Sequence, residues 1–213
     1  HHKDNANYGE IIWVDSEYSS VGEMLCDFFK WSGFEFGSQT AQALYTAILT
    51  DTGRFRFNAA RGNTFRVTAN LVDKGINIQE LCDSIYFSKS QASLELTGLA
   101  LGNIRFAEDG KVCLIPVSKQ MYQKTGAVKF DSEGIVDYTL QTAKAQLGAL
   151  LKEEETSVRV SLRSRGDIDV SAIASSFGGG GHRNAAGLTL ETSLEDALEI
   201  IEKRLVDECR SKR

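Results

Sequence analysis

The stretch Phe177-Gly178-Gly179-Gly180-Gly181-His182-Arg183-Asn184-Ala185-Ala186-Gly187 gathers the residues best suited to holding an anion. Four consecutive glycines add backbone entropy and no side-chain contact, so the run is expected to be neither a helix nor a packed strand. Such a run is useful where backbone N–H groups must come close to a ligand, a phosphate above all. His182 and Arg183 follow at once with a proton donor and a fixed positive charge. A flexible linker is the plain alternative, but linkers do not usually end in His-Arg-Asn and then small residues.

Upstream, Val158, Val160 and Leu162 alternate with Arg159, Ser161 and Arg163, as in a strand that is apolar on one face. That period puts Arg163 and Ser161 on the polar face. A second group sits in Thr50-Asp51-Thr52-Gly53-Arg54-Phe55. A carboxylate where a helix meets a glycine turn can be held at the lip of a cleft, or can merely shape the turn. The third group is His1-His2-Lys3-Asp4. Two terminal histidines alone read as the tail of a purification tag. Imidazole with carboxylate also suits a divalent transition metal, manganese where oxygen ligands dominate.

These groups need elements to position them. Ser20-Val21-Gly22-Glu23 is a capping box, followed by Val21, Met24, Leu25, Phe28 and Phe29 at helical spacing, expected to be core. Ala41, Leu44, Tyr45, Ile48 and Leu49 mark the helix that delivers Asp51. Further helices are expected over 64–74, closed by Gly75, through Ile78, Leu81, Cys82, Ile85 and Tyr86, and through Leu94, Leu96 and Leu99. Ile11 to Val14 reads as a strand. So does 111–117, with Pro116 demoting it towards an edge or bulge. A short helix over 132–140, strands over 145–151 and 188–190, and a last helix through Leu194, Ala197, Leu198, Ile201 and Leu205 complete the pattern. Asp169 is placed to cap a helix through Val170, Ile173, Ala174 and Phe177 that ends at the glycines.

With 213 residues, 42% hydrophobic and 25% charged, the chain suits one or two soluble domains. The net charge of −5 argues against a large basic nucleic-acid surface, though not against a short nucleotide in a local pocket. No apolar run reaches membrane-spanning length and no signal peptide is evident. Cys26, Cys82, Cys113 and Cys209 show no metal or disulfide spacing and read as reduced thiols of a cytoplasmic protein.

The run GGGGHRNAAG, with Val160-Ser161-Leu162-Arg163-Ser164 before it, closely resembles the DHH-associated domain of the DHH phosphoesterases, in the branch of the nano-RNases and 3′-phosphoadenosine-5′-phosphate phosphatases. The resemblance covers nearly the whole chain, from His1 to about Ala197. It implies an α/β fold: the C-terminal part of a parallel-sheet DHH domain over 1–87, a connector helix over 88–103, and a mixed-sheet DHH-associated domain over 104–213. His1 and Asp51 match metal ligands of a binuclear Mn2+ centre, Asp51 and His2 match catalytic residues, and His2 lies beside the scissile phosphate. Arg163, Ser164, Gly179, Gly180, Gly181 and His182 match the part that grips the nucleotide, with Arg54 a weaker addition. In this reading the chain starts inside the DHH motif, one residue after its Asp. Upstream aspartates and a histidine precede it, and the chain alone is expected to be inactive.

The activity implied is manganese-dependent hydrolysis of short single-stranded oligonucleotides to mononucleotides, and of 3′-phosphoadenosine 5′-phosphate to AMP. A metal polarises the phosphoryl oxygen and lowers the pKa of a bound water. A second copy of the chain is a candidate partner, and a membrane is not. Two alternatives stay open: a cyclic-dinucleotide phosphodiesterase, and a non-catalytic nucleotide- or nucleic-acid-binding module.

Overall fold

The computed structural model describes residues 9–56 and 59–211; the expectations for His1 and His2 lie outside them. The chain divides into two compact units, His1–Ser88 and Lys89–Arg213.

Among its described residues the first unit is helical: α1 (Val21–Ser32), α2 (Ser38–Asp51), α3 (Gly62–Val72) and α4 (Ile78–Tyr86). Its core is Ala41, Leu44, Tyr45, Ile48 and Leu49 of α2, with Val67 and Leu71 of α3 and Leu81 of α4. The strand expected over Ile11 to Val14 is absent. That segment is irregular and Ile11 is 94% exposed, because no described strand lies beside it to form a ladder.

The apolar stripe of α1 is also only half core. Met24 is buried and Phe29 packs against the α2–α3–α4 cluster, but Val21, Leu25 and Phe28 are exposed. The helix presses on α2 through Gly22 instead, where an added Cβ would lie 2.8 Å from Leu44 O. Helical spacing correctly grouped those side chains on one face, but the described residues do not cover that face.

Glu23 ties α1 to α3. Ser20 Oγ accepts from the Glu23 N–H at 3.1 Å, as a helix cap should. The Glu23 carboxylate reaches Ser19 rather than Ser20, accepting from its N–H at 3.0 Å and its hydroxyl at 2.6 Å. It also accepts from Asn63 Nδ2 at 2.9 Å and Thr64 Oγ1 at 3.0 Å, both at the start of α3. Burial works against the charge, but these donors outweigh it and hold the carboxyl below its usual 4.5. Because the folded value is depressed, its stabilisation is present above about pH 4.5 and lost as pH falls through the folded value. Glu23→Ala is expected to lower unfolding free energy by about 2 kcal/mol near neutral pH. It should also flatten the acid limb of stability against pH, both read by urea denaturation. An acid limb identical to wild type would remove Glu23 from that role.

The second unit is α/β. It opens with α5 (Gln91–Gly102) and continues through β1 (Arg105–Ala107), β2 (Val112–Val117), α6 (Lys119–Thr125), β3 (Leu147–Glu153), β4 (Val158–Ser164), α7 (Val170–Ser175), β5 (Gly180–His182), β6 (Ala185–Leu190) and α8 (Leu194–Ser211). The expected short helix over 132–140 is instead a pair of 3-10 segments, Lys129–Ser132 and Ile135–Leu140.

The six strands form one mixed sheet in the order β1-β2-β3-β4-β6-β5. Only β2 and β3 run parallel. One face packs under α7 and α8 through Leu114, Leu151, Leu162, Ile173, Leu198 and Ile201. On the other face α5 and the 3-10 segments cover β2 and β3 through Leu96, Ile115, Ile135 and Leu150. β2 is interior and fully buried, not the edge that Pro116 suggested. The proline is tolerated because β1 pairs only with Val112 to Leu114. Beyond that point no described strand lies on that side of β2 to receive an N–H.

The four cysteines are free. Burial, with the charges of Asp27 and Glu23 adding, pushes Cys26 up to about 12, and burial pushes Cys113 up to about 11. Neither is a ready thiolate.

Candidate functional site

The period of β4 divides its residues as expected. Val158, Val160 and Leu162 are buried on the helix side, while Arg159, Ser161 and Arg163 face the other way. Pairing then carries that second face outward. Arg163 lies opposite Ala185, and Ala185 opposite His182. Ser161 lies opposite Gly187, and Gly187 opposite Gly180. Directly opposed residues share a face, so Arg163 and His182 stand at two ends of one row. Two inter-strand steps separate them, about 10 Å. The adjoining row is a floor with no side chain larger than Ser161. His182 and Gly180 are exposed, while Ser161, Arg163, Ala185 and Gly187 are half-buried.

On the β3 side this face meets a wall. Gly148 lies opposite Arg163, and Thr139 sits so close above it that an added Cβ would be 2.0 Å from Thr139 Oγ1. The 3-10 segment Ile135–Leu140 therefore borders the open half of the sheet. The result is a shelf about as wide as a nucleotide, with a fixed cation and an imidazole at its ends.

Half of the glycine run is part of the sheet, contrary to expectation: Gly180 and Gly181, with His182, pair antiparallel with Ala185–Gly187 of β6 as an exposed edge hairpin. Glycine is tolerated because β6 supplies the ladder and solvent covers the outer side. Close approach of backbones fixes two of the four positions. A Cβ at Gly179 would be 2.2 Å from Gly187 O, and one at Gly181 would be 2.5 Å from Ala186 Cα. At Gly180 a Cβ would meet nothing within 4 Å. The fold itself therefore does not require glycine there.

The hairpin tip is held by a polar knot. Asn184 Nδ2 donates to Ser164 Oγ at 2.9 Å and to Gly166 O at 3.1 Å. The Val170 N–H donates to Arg183 O at 2.8 Å and the Ser164 N–H to Asn184 O at 3.1 Å. The Ser164 hydroxyl donates to Ile168 O at 2.7 Å. Ser164 is thus buried on the side away from the shelf, and its hydroxyl serves the turn. Asp169 caps α7, accepting from the N–H groups of Ser171 and Ala172. Arg183 turns to Asp167, donating to its carbonyl at 2.8 Å. Asn184→Ala is expected to free the hairpin tip. Amide exchange at His182 should accelerate by at least tenfold, with core-strand exchange unchanged, as hydrogen-exchange mass spectrometry would show. Unchanged exchange at the tip would mean that the knot does not hold it.

Asp51 and Arg54 belong to the first unit. Asp51 is the last residue of α2 and is exposed. After it, Gly53, Arg54 and Phe55 take φ values of 57°, 64° and 61°, three left-handed residues in succession. Two of them are not glycine, a strained arrangement of the kind found at functional sites. The Arg54 guanidinium lies 3.9 Å from the centre of the Tyr86 ring, a cation–π contact. Among the described residues no group of three or more His, Cys, Asp or Glu side chains is placed to hold a metal. Asp51 is the one described member of the expected ligand set, so the described residues do not by themselves fit a metal centre. Asn184, Gly187 and the Arg159 position were not singled out from sequence. Alternation already placed Arg159 on the Arg163 face, whereas Asn184 and Gly187 carry no signal without the pairing.

A nucleotide-sized shelf beside a Gly-Gly-Gly-Gly-His hairpin is where the comparison with known families falls: residues 117–207 match the DHHA1 domain. The second unit thus carries a DHHA1 domain. Over 210 residues it is 32% identical to the bifunctional oligoribonuclease and PAP phosphatase NrnA of Thermus thermophilus, covering 96% of this chain and 63% of that protein. Against the NrnA of Bacillus subtilis the identity is 27% over 193 residues, covering 89% and 61%. An exopolyphosphatase-related protein from Bacteroides fragilis superposes with a TM-score of 0.94 at 28% identity, over 100% of this chain and 64% of that one. The chain therefore spans a little under two thirds of these relatives' length. No helix among the described residues is long and apolar enough to cross a membrane.

Proposed function

We propose that the protein to which this chain belongs hydrolyses phosphoester bonds at the ends of short single-stranded oligonucleotides, and the 3′-phosphate of 3′-phosphoadenosine 5′-phosphate. The observation that carries this reading is the shelf: Arg163 and His182 in one row above a floor of Ser161, Gly187 and Gly180. Arg163 supplies a planar, permanently charged fork suited to a phosphate. The bare floor lets a base or sugar lie flat against backbone. His182 closes the outer end, where it can donate to a second oxygen. The relatives named as oligoribonucleases and PAP phosphatases support the substrate class.

In the same reading, Asp51 is one ligand of a manganese centre completed by residues outside those described. Such a metal would neutralise phosphoryl charge and supply an activated water. The strained turn after Asp51, with Arg54 braced on Tyr86, would fix where that carboxylate stands. Hydrolysis then belongs to the full-length protein, and this chain alone binds nucleotide without turning it over. The test is a paired assay of the full-length protein and this chain on a 5′-phosphorylated dinucleotide and on 3′-phosphoadenosine 5′-phosphate, with and without Mn2+. Metal-dependent release of mononucleotide by the full-length protein, with binding alone by the chain, is the expected result. Binding without turnover by the full-length protein would favour a nucleotide-binding module instead.

A further inference from the structure

Arg159 and Lys152 form a second cationic position on the same sheet face, outside the shelf. They are direct cross-strand partners, and like charges facing each other in an antiparallel pair destabilise the sheet. Lys152 is only 8% exposed, and its ammonium has Ser132 Oγ as a neighbour at 3.4 Å. Desolvation and the Arg159 charge both push its pKa down, while Glu133 and Glu154 pull it up. Glu133 and Glu154 offset part of this charge, but the Glu154 carboxylate is bound to Lys129, and the neighbouring Glu153 accepts from the Lys119 N–H at 2.9 Å. Arg159 is exposed and has no ion-pair partner within 4 Å among the described residues. An anion from outside would relieve the unfavourable pairing.

The spacing indicates which anion. Arg159 and Arg163 are four residues apart on one strand, so they lie about 13 Å apart along it. The floor at Ser161 lies between them. That span is longer than the separation of the two phosphates on a single nucleoside. It suits backbone phosphates two nucleotides apart in an extended strand that follows a positively charged groove.

We propose that Arg159, backed by Lys152, takes a backbone phosphate of a single-stranded oligonucleotide of roughly three or more residues, two nucleotides along from the phosphate at Arg163. This rests on the shelf being the nucleotide site and adds a length sensor to it. The shelf accepts a lone bisphosphate, and the second position rewards a longer strand.

The test is titration of this chain, wild type and Arg159→Ala, with a 5′-phosphorylated tetranucleotide and with adenosine 3′,5′-bisphosphate across a range of salt. Because Arg159 is exposed, the variant is expected to fold normally. The expected result is a loss of about tenfold for the tetranucleotide and less than twofold for the bisphosphate. The slope of log affinity against log salt should fall by about 0.7 for the tetranucleotide alone. Equal losses for both ligands, or none for either, would overturn the second position while leaving the shelf intact. A wild-type chain that binds neither ligand would overturn the shelf reading, and the length sensor with it.

Discussion

Gly181→Ala is expected to destabilise the second unit by about 3 kcal/mol and to abolish measurable nucleotide binding. Gly181 sits at φ 146°, and an added Cβ would press to 2.5 Å from Ala186 Cα and 2.6 Å from Ala185 O. The atoms in the way are mostly backbone of β6, so the hairpin must open to make room. His182 would then leave the row that contains Arg163. Gly180→Ala supplies the contrast. Its methyl meets no protein atom within 4 Å, so stability should hold or rise slightly. The methyl would stand on the floor of the shelf, however, and binding of adenosine 3′,5′-bisphosphate should weaken by about tenfold, on the order of 1.4 kcal/mol. Denaturant midpoints and calorimetric titration of both variants separate the two effects. If Gly180→Ala bound as tightly as wild type, the ligand would not lie on that floor.

Arg163→Ala is expected to cost between about 10- and 100-fold in affinity for both bisphosphate and oligonucleotide, the usual worth of hydrogen bonds to a charged group. In the folded chain Arg163 makes one short contact, from Nη1 to the Leu162 carbonyl at 3.0 Å, so its loss should leave stability nearly unchanged. Arg163→Lys should recover part of the affinity, because a point charge replaces the planar fork. Full affinity in Arg163→Ala, measured on a protein with wild-type unfolding, would remove the shelf's cation from recognition altogether.

The second unit was more legible in sequence than the first. Alternation alone placed Arg159, Ser161 and Arg163 on one face of β4, and the pairing confirms that face. The same rule separates Arg163 from Ser164, because neighbours on a strand point to opposite sides. A motif that places both against a ligand runs against that geometry, and the Ser164 hydroxyl is engaged with Ile168 O. The glycine run misled because composition registers entropy and not the partner strand: β6 is what makes an extended Gly180–His182 affordable. On α1 the 3.6-residue period identified a shared face correctly. Periodicity does not say what lies opposite, and Phe28 remains 43% exposed. The end of α2 at Asp51 was readable from Gly53. The left-handed run through Arg54 and Phe55 was not, since neither residue type favours that conformation.

The strand order also has a consequence in time. The helical unit is built from neighbours in sequence and can form quickly. The sheet joins β2 to β3 in parallel across the long stretch between Val117 and Leu147, and it inserts β6 between β4 and β5. Such non-local pairings close late. On a ribosome, β2 and β3 emerge well before α8, the helix that covers one of their faces. β6, which carries the middle of the shelf's floor, is the last strand to appear. The nascent chain therefore acquires its helical first unit first, shields its central strands late, and gains the ability to hold a nucleotide only near the end of synthesis.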